Sequence, residues 1–353
     1  MKQLWFVAIA LFTFTACSSD DDDNGNGNGN GAEEGLSGVF VVNEGPFNQG
    51  SGSLSLYDPK TKNVTQGLFE STNQTPIGNI FQSMTATQDH FILVANNSGL
   101  VRITDEKLTL TNTIDDLVSP RYAIQSGPSV VAISDWSSNA VHFYDENDWS
   151  ELGSVSTNTG PDRMLLDPSN GNLWVVNSGG FSTDSTVTRI NAASRTAIAD
   201  VSTAGRPNSL VRDVNGDIWV LCGGTKDFND PNNNEQGALI RFSPEGNEQQ
   251  RLVFSDASAS PSNLNVSPDG ENLYWTSPGG IFSMSITNNE LPTSPQATGS
   301  FYGLGVDPST GEVYASDAKD FASNGEVVVY SAEIATKLHT FEAGIIPANF
   351  TFK

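Results

Sequence analysis

The stretch Asn170–Gly180, NGNLWVVNSGG, combines a turn, a run of apolar strand-forming residues and a small polar loop. The same pattern returns in four other segments: HFILVANNSG (His90–Gly99), NGDIWVLCGGT (Asn215–Thr225), GENLYWTSPGG (Gly270–Gly280) and GEVYASDAKDF (Gly311–Phe321). A strand pattern that recurs along a chain indicates an architecture built from repeated units. The repeat therefore decides the fold before any single motif is considered.

Seven further segments, most of which begin at a Pro or Gly, set the period of the repeat. They are GNIFQSM (Gly78), PRYAIQS (Pro120), PDRMLLD (Pro161), PNSLVRD (Pro207), PSNLNVS (Pro261), SFYGLGV (Ser300) and PANFTF (Pro347), about 40 to 55 residues apart. Each of the first six precedes a turn, the apolar strand, a loop, a third strand and a weaker fourth strand, with no convincing amphipathic helix. This pattern predicts an all-β, seven-bladed β-propeller of four-stranded antiparallel blades.

The two ends of the repeat predict how the ring closes. The pattern opens at LSGVFVVNEG (Leu36–Gly45) with a second strand that has no first strand before it, and it finishes at Pro347–Lys353 with a first strand alone. A closed ring leaves no exposed sheet edge. We therefore expect the C-terminal strand to join the N-terminal blade.

The N-terminal segment has the pattern of a targeting signal. An apolar run, Leu4–Ala16, is too short to span a bilayer and precedes Cys17 in FTFTAC, which resembles a bacterial lipobox except at Phe14. We predict a signal peptide at residues 1–16, a lipidated Cys17 opening an acidic, Gly/Asn-rich flexible tether at 17–35, and the propeller at 36–353. The alternative is a secreted soluble protein in which Cys17 is incidental.

The charge balance excludes one class of partner. The chain has 41 acidic and 17 basic residues and a formal net charge of −24, which argues against nucleic-acid binding and against electrostatic attachment to anionic lipid. Cys222 is the only cysteine besides Cys17, so the mature chain has no pair for a structural disulfide.

The first blade carries a sharper motif, FVVNEGPFNQGSGSLSLYDPKTKNV (Phe40–Val64). It resembles the opening of Bacteroidota surface lipoprotein propellers of the YncE-like and surface-layer seven-bladed family, and the matching residues are Asn43, Glu44, Gly45, Phe47, Gly50, Gly52 and Ser53–Ser55. The resemblance implies capture of cobalamin or a related corrinoid, held as a bound ligand and not as a catalytic cofactor. It also implies delivery to a TonB-dependent outer-membrane transporter. The acidic run after Cys17 likewise resembles the export signal of these lipoproteins, which implies a lipid-anchored protein exposed on the outer membrane.

Propeller geometry predicts where a site lies. The loops between strands 2 and 3 share one face with the loops leading into strand 1, and the former differ greatly in length. The predicted ligand-binding residues are the loop aromatics Phe47, Trp136, Phe181, Phe228 and Phe321, together with Asn43, Arg121, Tyr122, Asp135, Arg206, Asn208 and Tyr302. Asp162, Arg163 and Phe301 are placed on the same face. Apolar walls with scattered hydrogen-bonding groups suit a large, flat, amide-fringed ligand. Alternatively, the aromatics cover blade edges and the arginines pair with carboxylates.

Groups for catalysis or metal binding are scarce. His90, His142 and His339 fall in different blades, and Cys222 has no nearby histidine, so no triad or metal cluster is predicted and the chain is interpreted as a non-enzyme. One enzymatic alternative is a lactonase-like metal set of Asn43, Glu44, Asn177 and Asp317. The oxygen-rich loop Thr225–Gly237 is interpreted as solvated rather than as a calcium site. Two other functions stay open: capture of a siderophore or glycan, and protein interaction through one face.

Overall fold

A computed structural model describes residues 35–227 and 229–353. The predicted signal peptide, Cys17 and the tether up to residue 34 lie outside the described residues, as does Phe228. The described chain forms seven four-stranded antiparallel sheets arranged as blades in a ring, which confirms the predicted seven-bladed propeller.

The strands are named in chain order. Blade 1 contains β1 (Val39–Asn43), β2 (Ser53–Tyr57) and β3 (Val64–Thr65); blade 2 contains β4 (Phe81–Ala86), β5 (Phe91–Ala95), β6 (Leu100–Thr104) and β7 (Leu110–Ile114). Blade 3 contains β8 (Pro120–Gly127), β9 (Val130–Asp135), β10 (Ala140–Asp145) and β11 (Glu151–Ser156); blade 4 contains β12 (Pro161–Asp167), β13 (Asn172–Asn177), β14 (Thr186–Asn191) and β15 (Thr196–Ser202). Blade 5 contains β16 (Pro207–Arg212), β17 (Ile218–Cys222), β18 (Ala238–Phe242) and β19 (Glu248–Val253); blade 6 contains β20 (Ser262–Val266), β21 (Asn272–Ser277), β22 (Gly280–Ser285) and β23 (Ala297–Thr298). Blade 7 contains β24 (Gly303–Val306), β25 (Val313–Asp317), β26 (Asn324–Tyr330) and β27 (Lys337–Ile345), and β28 (Pro347–Phe352) returns to blade 1.

Closure occurs as the sequence predicts. Strand β28 pairs antiparallel with β1, with Val41 opposite Phe350, and supplies the innermost strand of blade 1. The described chain begins and ends on one face of the ring. Leu36 N donates to Glu106 O at 2.9 Å, and Gly38 N donates to Lys353 O at 2.8 Å.

The core is divided among the seven blade interfaces, because each blade presents apolar side chains on both faces of its sheet. Phe40 of blade 1 packs on Phe91 of blade 2 with ring centroids 4.9 Å apart, and Trp174 of blade 4 packs on Phe242 of blade 5. Hydroxyl groups on the blades also bond to the inner strand of the next blade: Ser134 Oγ donates to Asp162 O at 2.8 Å. These links fix the inner strands, and the candidate site lies near the N-terminal ends of those strands.

One element was missed by the sequence analysis. A six-residue helix, α1 (Leu68–Asn73), lies between β3 and β4 and buries Phe69 in the interface of blades 1 and 2. Gly67 and Gln74, which flank it, both adopt left-handed backbone conformations. A helix of six residues is too short to give an apolar periodicity, which is why no signal preceded it. None of the helices in the described residues has the length and apolar character needed to cross a membrane.

The two faces of the ring differ in their loops. On one face, short turns join strands 1 and 2, and aspartates cap them; for example, Asp307 Oδ1 accepts Ser309 N at 2.7 Å. The other face carries the unequal loops between strands 2 and 3, and the loops that lead into strand 1 lie against them, as in the hydrogen bond from Ser178 N to Gly160 O at 2.8 Å. We call this second face the mouth.

Candidate functional site

The mouth gathers the exposed aromatic side chains. Among the described residues, only four Phe and Tyr side chains are exposed, and all four lie in loops of the mouth: Phe47 (64%), Phe181 (97%), Tyr302 (39%) and Phe321 (52%). Three of the exposed large aliphatic residues, Ile198, Val253 and Leu338, lie on outer strands, whereas Val118 lies in a mouth loop and Val214 in a turn of the opposite face. Apolar side chains grouped on one face and left in contact with solvent are typical of a binding surface.

Trp136 and Phe181 form the first aromatic pair, on blades 3 and 4. Their rings meet edge to face with centroids 5.6 Å apart. Trp136 Nε1 donates to Asp162 Oδ2 at 3.1 Å, and Ser178 Oγ donates to the same oxygen at 3.2 Å. Gly180 brings the backbone into van der Waals contact with the indole, and its φ of 57° is a left-handed conformation that favours glycine. The indole is thereby fixed, and Phe181 stands out into solvent beside it.

Tyr302 and Phe321 form the second aromatic pair, on blade 7. Their rings also meet edge to face, with centroids 5.5 Å apart, and Tyr302 Oη donates to Glu44 Oε2 at 2.9 Å. Burial raises the pKa of Glu44, and the hydrogen bond from Tyr302 and the charge of Arg121 offset this only in part. Burial beside that carboxylate also raises the pKa of Tyr302, so this phenol is a hydrogen-bond donor at neutral pH.

Phe47 stands alone at the tip of the loop Glu44–Gly52. The side chain of Asn79, from the loop leading into β4, holds this tip: Asn79 Oδ1 accepts Asn48 N at 3.1 Å, and Asn79 Nδ2 donates to Pro46 O and Gly50 O. Gly52 in the same loop has no room for a Cβ against Phe81 and the backbone of Asn43. The loop is thus held in place, although Phe47 makes no ring contact with another aromatic residue in the described part of the chain.

A polar cluster lies between the two aromatic pairs, and Arg121 is its first member. The Arg121 guanidinium stacks on the Trp136 ring at 3.7 Å, donates to Gln82 Oε1 and pairs with Asp162 at 3.4 Å. Gln82 Nε2 in turn donates to Tyr122 Oη at 3.3 Å. Arg121 therefore pairs with a carboxylate, which is one of the two alternatives that the sequence left open.

Arg163 completes the cluster by reaching across the ring. It stacks over Tyr122 at 4.7 Å, and Arg163 Nη2 donates to Asn349 Oδ1 at 2.6 Å. Asn349 belongs to blade 1 and Arg163 to blade 4, which are not neighbours, so the side chain spans the central channel. Asn349 Nδ2 also donates to Gln82 O at 2.9 Å, which ties three blades together. We call Gln82, Arg121, Tyr122, Asp162, Arg163 and Asn349 the floor cluster.

Two predicted ligand-binding residues have a supporting position instead. Asn43 and Asp135 are fully buried. Asn43 Nδ2 donates to Ser55 Oγ at 2.9 Å, and its Oδ1 accepts Gly344 N at 3.0 Å. The two carboxylate oxygens of Asp135 accept four backbone N–H groups, from Val118, Ser119, Ser137 and Ser138. Their polar atoms are occupied by the loops, and direct contact of these two residues with a ligand stays a prediction.

The remaining predicted residues are more dispersed. Asn208 Nδ2 donates to Pro261 O at 2.9 Å, which links blades 5 and 6. Arg206, with a φ of 55°, is half-buried beside Asn208, and its guanidinium forms no ion pair within the described residues. Among the interactions of the described residues, neither Arg206 nor Asn208 has a side-chain hydrogen bond or ion pair to the floor cluster. Phe228 lies outside the described residues, so its place at the mouth stays a prediction.

The side chains considered for chemistry are engaged in structural contacts. Within residues 35–227 and 229–353, no group of three or more His, Cys, Asp or Glu is arranged to hold a metal ion. Asn177, from the lactonase-like alternative, is buried and donates to Thr186 and Thr188. In the oxygen-rich loop, Asp227 Oδ1 accepts Asn229 N and Asp230 N, so this carboxylate organises the loop itself. Burial raises the pKa of the Cys222 thiol to about 12, as for a packing residue.

A separate cavity of about 710 Å³ lies on the face opposite the mouth, between blades 1 and 7. Gly38, Asp58, Asp307, Phe352 and Lys353 are among its lining residues. It adjoins the point where β1 and β28 close the ring. The cavity could not be predicted from the sequence, because nothing in the short turns of this face indicates a concavity.

Residues 37–352 match the family model described as "Domain of unknown function (DUF5074)", and the chain belongs to this family. The match covers all seven blades. None of the curated proteins compared with the chain matches it.

Solved structures share the fold at low identity. A quinonprotein alcohol dehydrogenase-like protein from Bacteroides thetaiotaomicron is 14% identical with a TM-score of 0.67, over 90% of this chain and 78% of that chain. A protein from Lactobacillus plantarum is 13% identical with a TM-score of 0.64, over 90% of this chain and 100% of that chain. Hydrazine synthase from Kuenenia stuttgartiensis is 12% identical with a TM-score of 0.58, over 76% of this chain and 88% of that chain. These neighbours differ in function, so they show the architecture alone.

Proposed function

We propose that this DUF5074 propeller is a lipid-anchored, cell-surface protein that captures a scarce small-molecule nutrient at its mouth and delivers it to a TonB-dependent outer-membrane transporter. Cobalamin, or a related corrinoid, is the ligand we favour. The proposed role is binding and not catalysis. The observation that carries the proposal is the grouping of Phe47, Phe181, Tyr302 and Phe321 around the floor cluster on one face.

The chemistry of the mouth supports a large ligand with both apolar and polar surface. Two edge-to-face aromatic pairs rise on non-adjacent blades, and hydrogen-bonding groups of the floor cluster lie between them. Small-molecule sites commonly combine aromatic walls with a few placed polar groups in this way. A corrinoid, with its broad apolar macrocycle and amide side chains, suits such a surface.

The anchoring part of the proposal depends on Cys17 and the sequence before it. Gly35 enters the ring on the face opposite the mouth, next to the hydrogen bond between Leu36 N and Glu106 O. Entry of the described chain on that face leaves the mouth open, and the proposed lipid anchor at Cys17 is a separate prediction from the sequence. Labelling cells with radioactive palmitate tests this: the native chain should be labelled and Cys17→Ala should not.

The binding proposal is tested with a fragment of residues 35–353, which contains all 28 strands and the ring closure. Isothermal titration with cyanocobalamin should give saturable binding. The double variant Phe181→Ala/Phe321→Ala should weaken it by about tenfold or more, because each exposed ring contributes contact area to the ligand. The matched control is Leu338→Ala, which removes an exposed apolar side chain on the outer strand β27 and should bind like the native fragment.

A flat titration of the native fragment at high protein concentration would refute corrinoid capture. Repeating the titration with siderophores and glycans then distinguishes another nutrient from a protein-docking face. If Leu338→Ala weakened binding as much as the double variant, the aromatic walls would not be the site.

A further inference from the structure

We infer that Arg163 is a specificity-determining residue that binds an anionic oxygen group, such as a phosphate or phosphodiester, on the ligand. This inference rests on the proposed function only in taking the mouth as the ligand site. The observation behind it is the unequal charge compensation of the two arginines of the floor cluster, Arg121 and Arg163.

The floor cluster carries an excess of positive charge in a strongly acidic protein. The chain has a formal net charge of −24, yet the cluster contains two arginines and one carboxylate, Asp162. Asp162 is committed to Arg121, Trp136 and Ser178. Arg163 forms no ion pair within the described residues, although acidic side chains outnumber basic ones by more than two to one.

The carboxylates of the surrounding loops are occupied locally. Asp184 accepts Thr159 N at 3.0 Å and the Thr186 hydroxyl at 2.6 Å. Asp320 accepts Ala322 N and the backbone N–H and hydroxyl of Ser323. These carboxylates organise their own loops, and Glu44 accepts the Tyr302 hydroxyl and interacts electrostatically with Arg121. None of the three forms an ion pair with Arg163, so its positive charge is left for a ligand.

The Arg163 guanidinium is held in a fixed orientation, but most of its N–H groups have no acceptor within the described residues. Stacking on Tyr122 and the hydrogen bond to Asn349 fix its plane across the channel. A guanidinium has five N–H donors, and within the described residues Arg163 uses its side chain for a hydrogen bond only to Asn349. The side chain is half-buried, and its free N–H groups are not enclosed. A fixed, partly solvent-accessible guanidinium matches the geometry of a phosphate or carboxylate.

Arg121 provides an internal contrast. It stacks on an aromatic ring as Arg163 does, but it pairs with Asp162 and its Nε is buried without an acceptor. Its charge is therefore compensated, and it supports Trp136. Of the two stacked arginines, only Arg163 is available to a ligand.

The first experiment uses inorganic phosphate as the probe. Residues 35–353 are prepared with ¹⁵N-labelled arginine, and the side-chain Nε–Hε signal missing from Arg163→Gln identifies Arg163. Phosphate should shift this signal saturably, and sodium chloride at equal ionic strength should not. Absence of a saturable shift, or an equal shift with chloride, would overturn the inference.

The second experiment compares cyanocobalamin, which carries a phosphodiester, with dicyanocobinamide, which does not. Arg163→Gln should reduce the preference of the fragment for cyanocobalamin by about tenfold, as expected for one lost charge-assisted hydrogen bond. Arg163→Lys should retain part of that preference. The control is Arg241→Gln, since Arg241 stacks on Trp219 away from the mouth and should leave the preference unchanged.

The outcomes separate the two proposals. If neither corrinoid binds the native fragment, corrinoid capture fails and the phosphate titration alone decides the role of Arg163. If cyanocobalamin binds and Arg163→Gln keeps the native preference, the inference fails and the proposed function stands.

Discussion

Two aromatic pairs stand on non-adjacent blades of the mouth, and they are held in different ways. Each is an edge-to-face pair with a ring that donates a hydrogen bond to a carboxylate. Asp162, beneath Trp136, also pairs with Arg121. Glu44, beside Tyr302, forms no ion pair within the described residues, and burial raises its pKa. The first pair is therefore held by Asp162, whose charge is compensated by Arg121. The second pair is held by Glu44, whose charged form is destabilised by burial.

The backbones of the two pairs differ as well. Phe181 follows Gly179 and Gly180, which take the left-handed conformations that the turn requires. Phe321 itself has a φ of 59°, a conformation that costs a residue with a Cβ about 1 kcal/mol or more. In the first loop, Gly179 and Gly180 adopt the left-handed conformations and Phe181 is unstrained. In the second loop, Phe321 adopts such a conformation itself, so the backbone of the blade 7 pair is the more strained of the two.

The largest expected effect on stability comes from removing the Asp162 carboxylate, which compensates the charge of Arg121. Asp162→Ala leaves the half-buried Arg121 unpaired and removes the acceptor of Trp136, so the free energy of unfolding should fall by about 3 kcal/mol. Guanidinium denaturation of residues 35–353 measures it.

Two further variants frame this prediction. Asp162→Asn keeps the shape of the side chain and should lose less stability. Glu290→Ala removes an exposed carboxylate and should change the free energy of unfolding by less than about 0.5 kcal/mol. A loss for Asp162→Ala no larger than that of Glu290→Ala would contradict the difference we draw between the two carboxylates.

An intermediate effect is expected at Glu44, and it depends on pH. Because its pKa is raised in the folded protein, the folded state binds more protons than the unfolded state, and stability falls as the pH rises through that raised pKa. Glu44→Gln removes this dependence. The melting temperature of the variant relative to the native protein should therefore increase from about pH 4 to about pH 8.

Tyr302→Phe tests the same hydrogen bond by removing its donor. It deletes the phenol O–H that lowers the pKa of Glu44, so the fall in stability should begin at the same pH as in the native protein, extend to higher pH and become larger. Parallel pH curves for Glu44→Gln and the native protein would mean that Glu44 is not penalised by burial. Glu290→Gln serves as the exposed control.

The smallest effect on stability is expected at Phe321. Phe321→Gly relieves the left-handed strain of about 1 kcal/mol but removes an edge-to-face contact of about 0.5–1.5 kcal/mol, so the free energy of unfolding should stay nearly constant. Phe181→Gly gains no such relief and should be slightly destabilising. Thermal denaturation compares the two variants, and titration with cyanocobalamin shows whether both weaken binding. A clear loss of stability in Phe321→Gly alone would show that the strain is not where we place it.

The fold could be predicted from the sequence because its signals are local and repeated. Each blade has its own turn residues and apolar strand, and the incomplete pattern at Leu36–Gly45 and Pro347–Lys353 identified the closing strand. The helix α1 was missed because six residues carry no period.

The candidate site was harder to predict because its contacts join distant parts of the chain. The bond between Arg163 and Asn349 links residues 186 positions apart, and neither residue carries a motif that announces it. Asn43 could have been recognised as a supporting residue. A polar residue closes strand 2 at Asn43, Asp135, Asn177 and Asp317, and such recurrence at one blade position is typical of a structural role.

The closing strand β28 also affects how the protein folds during its synthesis. Strand β28 is synthesised after every other strand, and its partner β1 belongs to the first blade, so their pairing spans more than 300 residues. Contacts of such long range form slowly, and until they form one side of β1 is an unpaired edge open to other chains. Until β28 has been translated, the edge of β1 is exposed to aggregation. The ring can close only after that strand has been made.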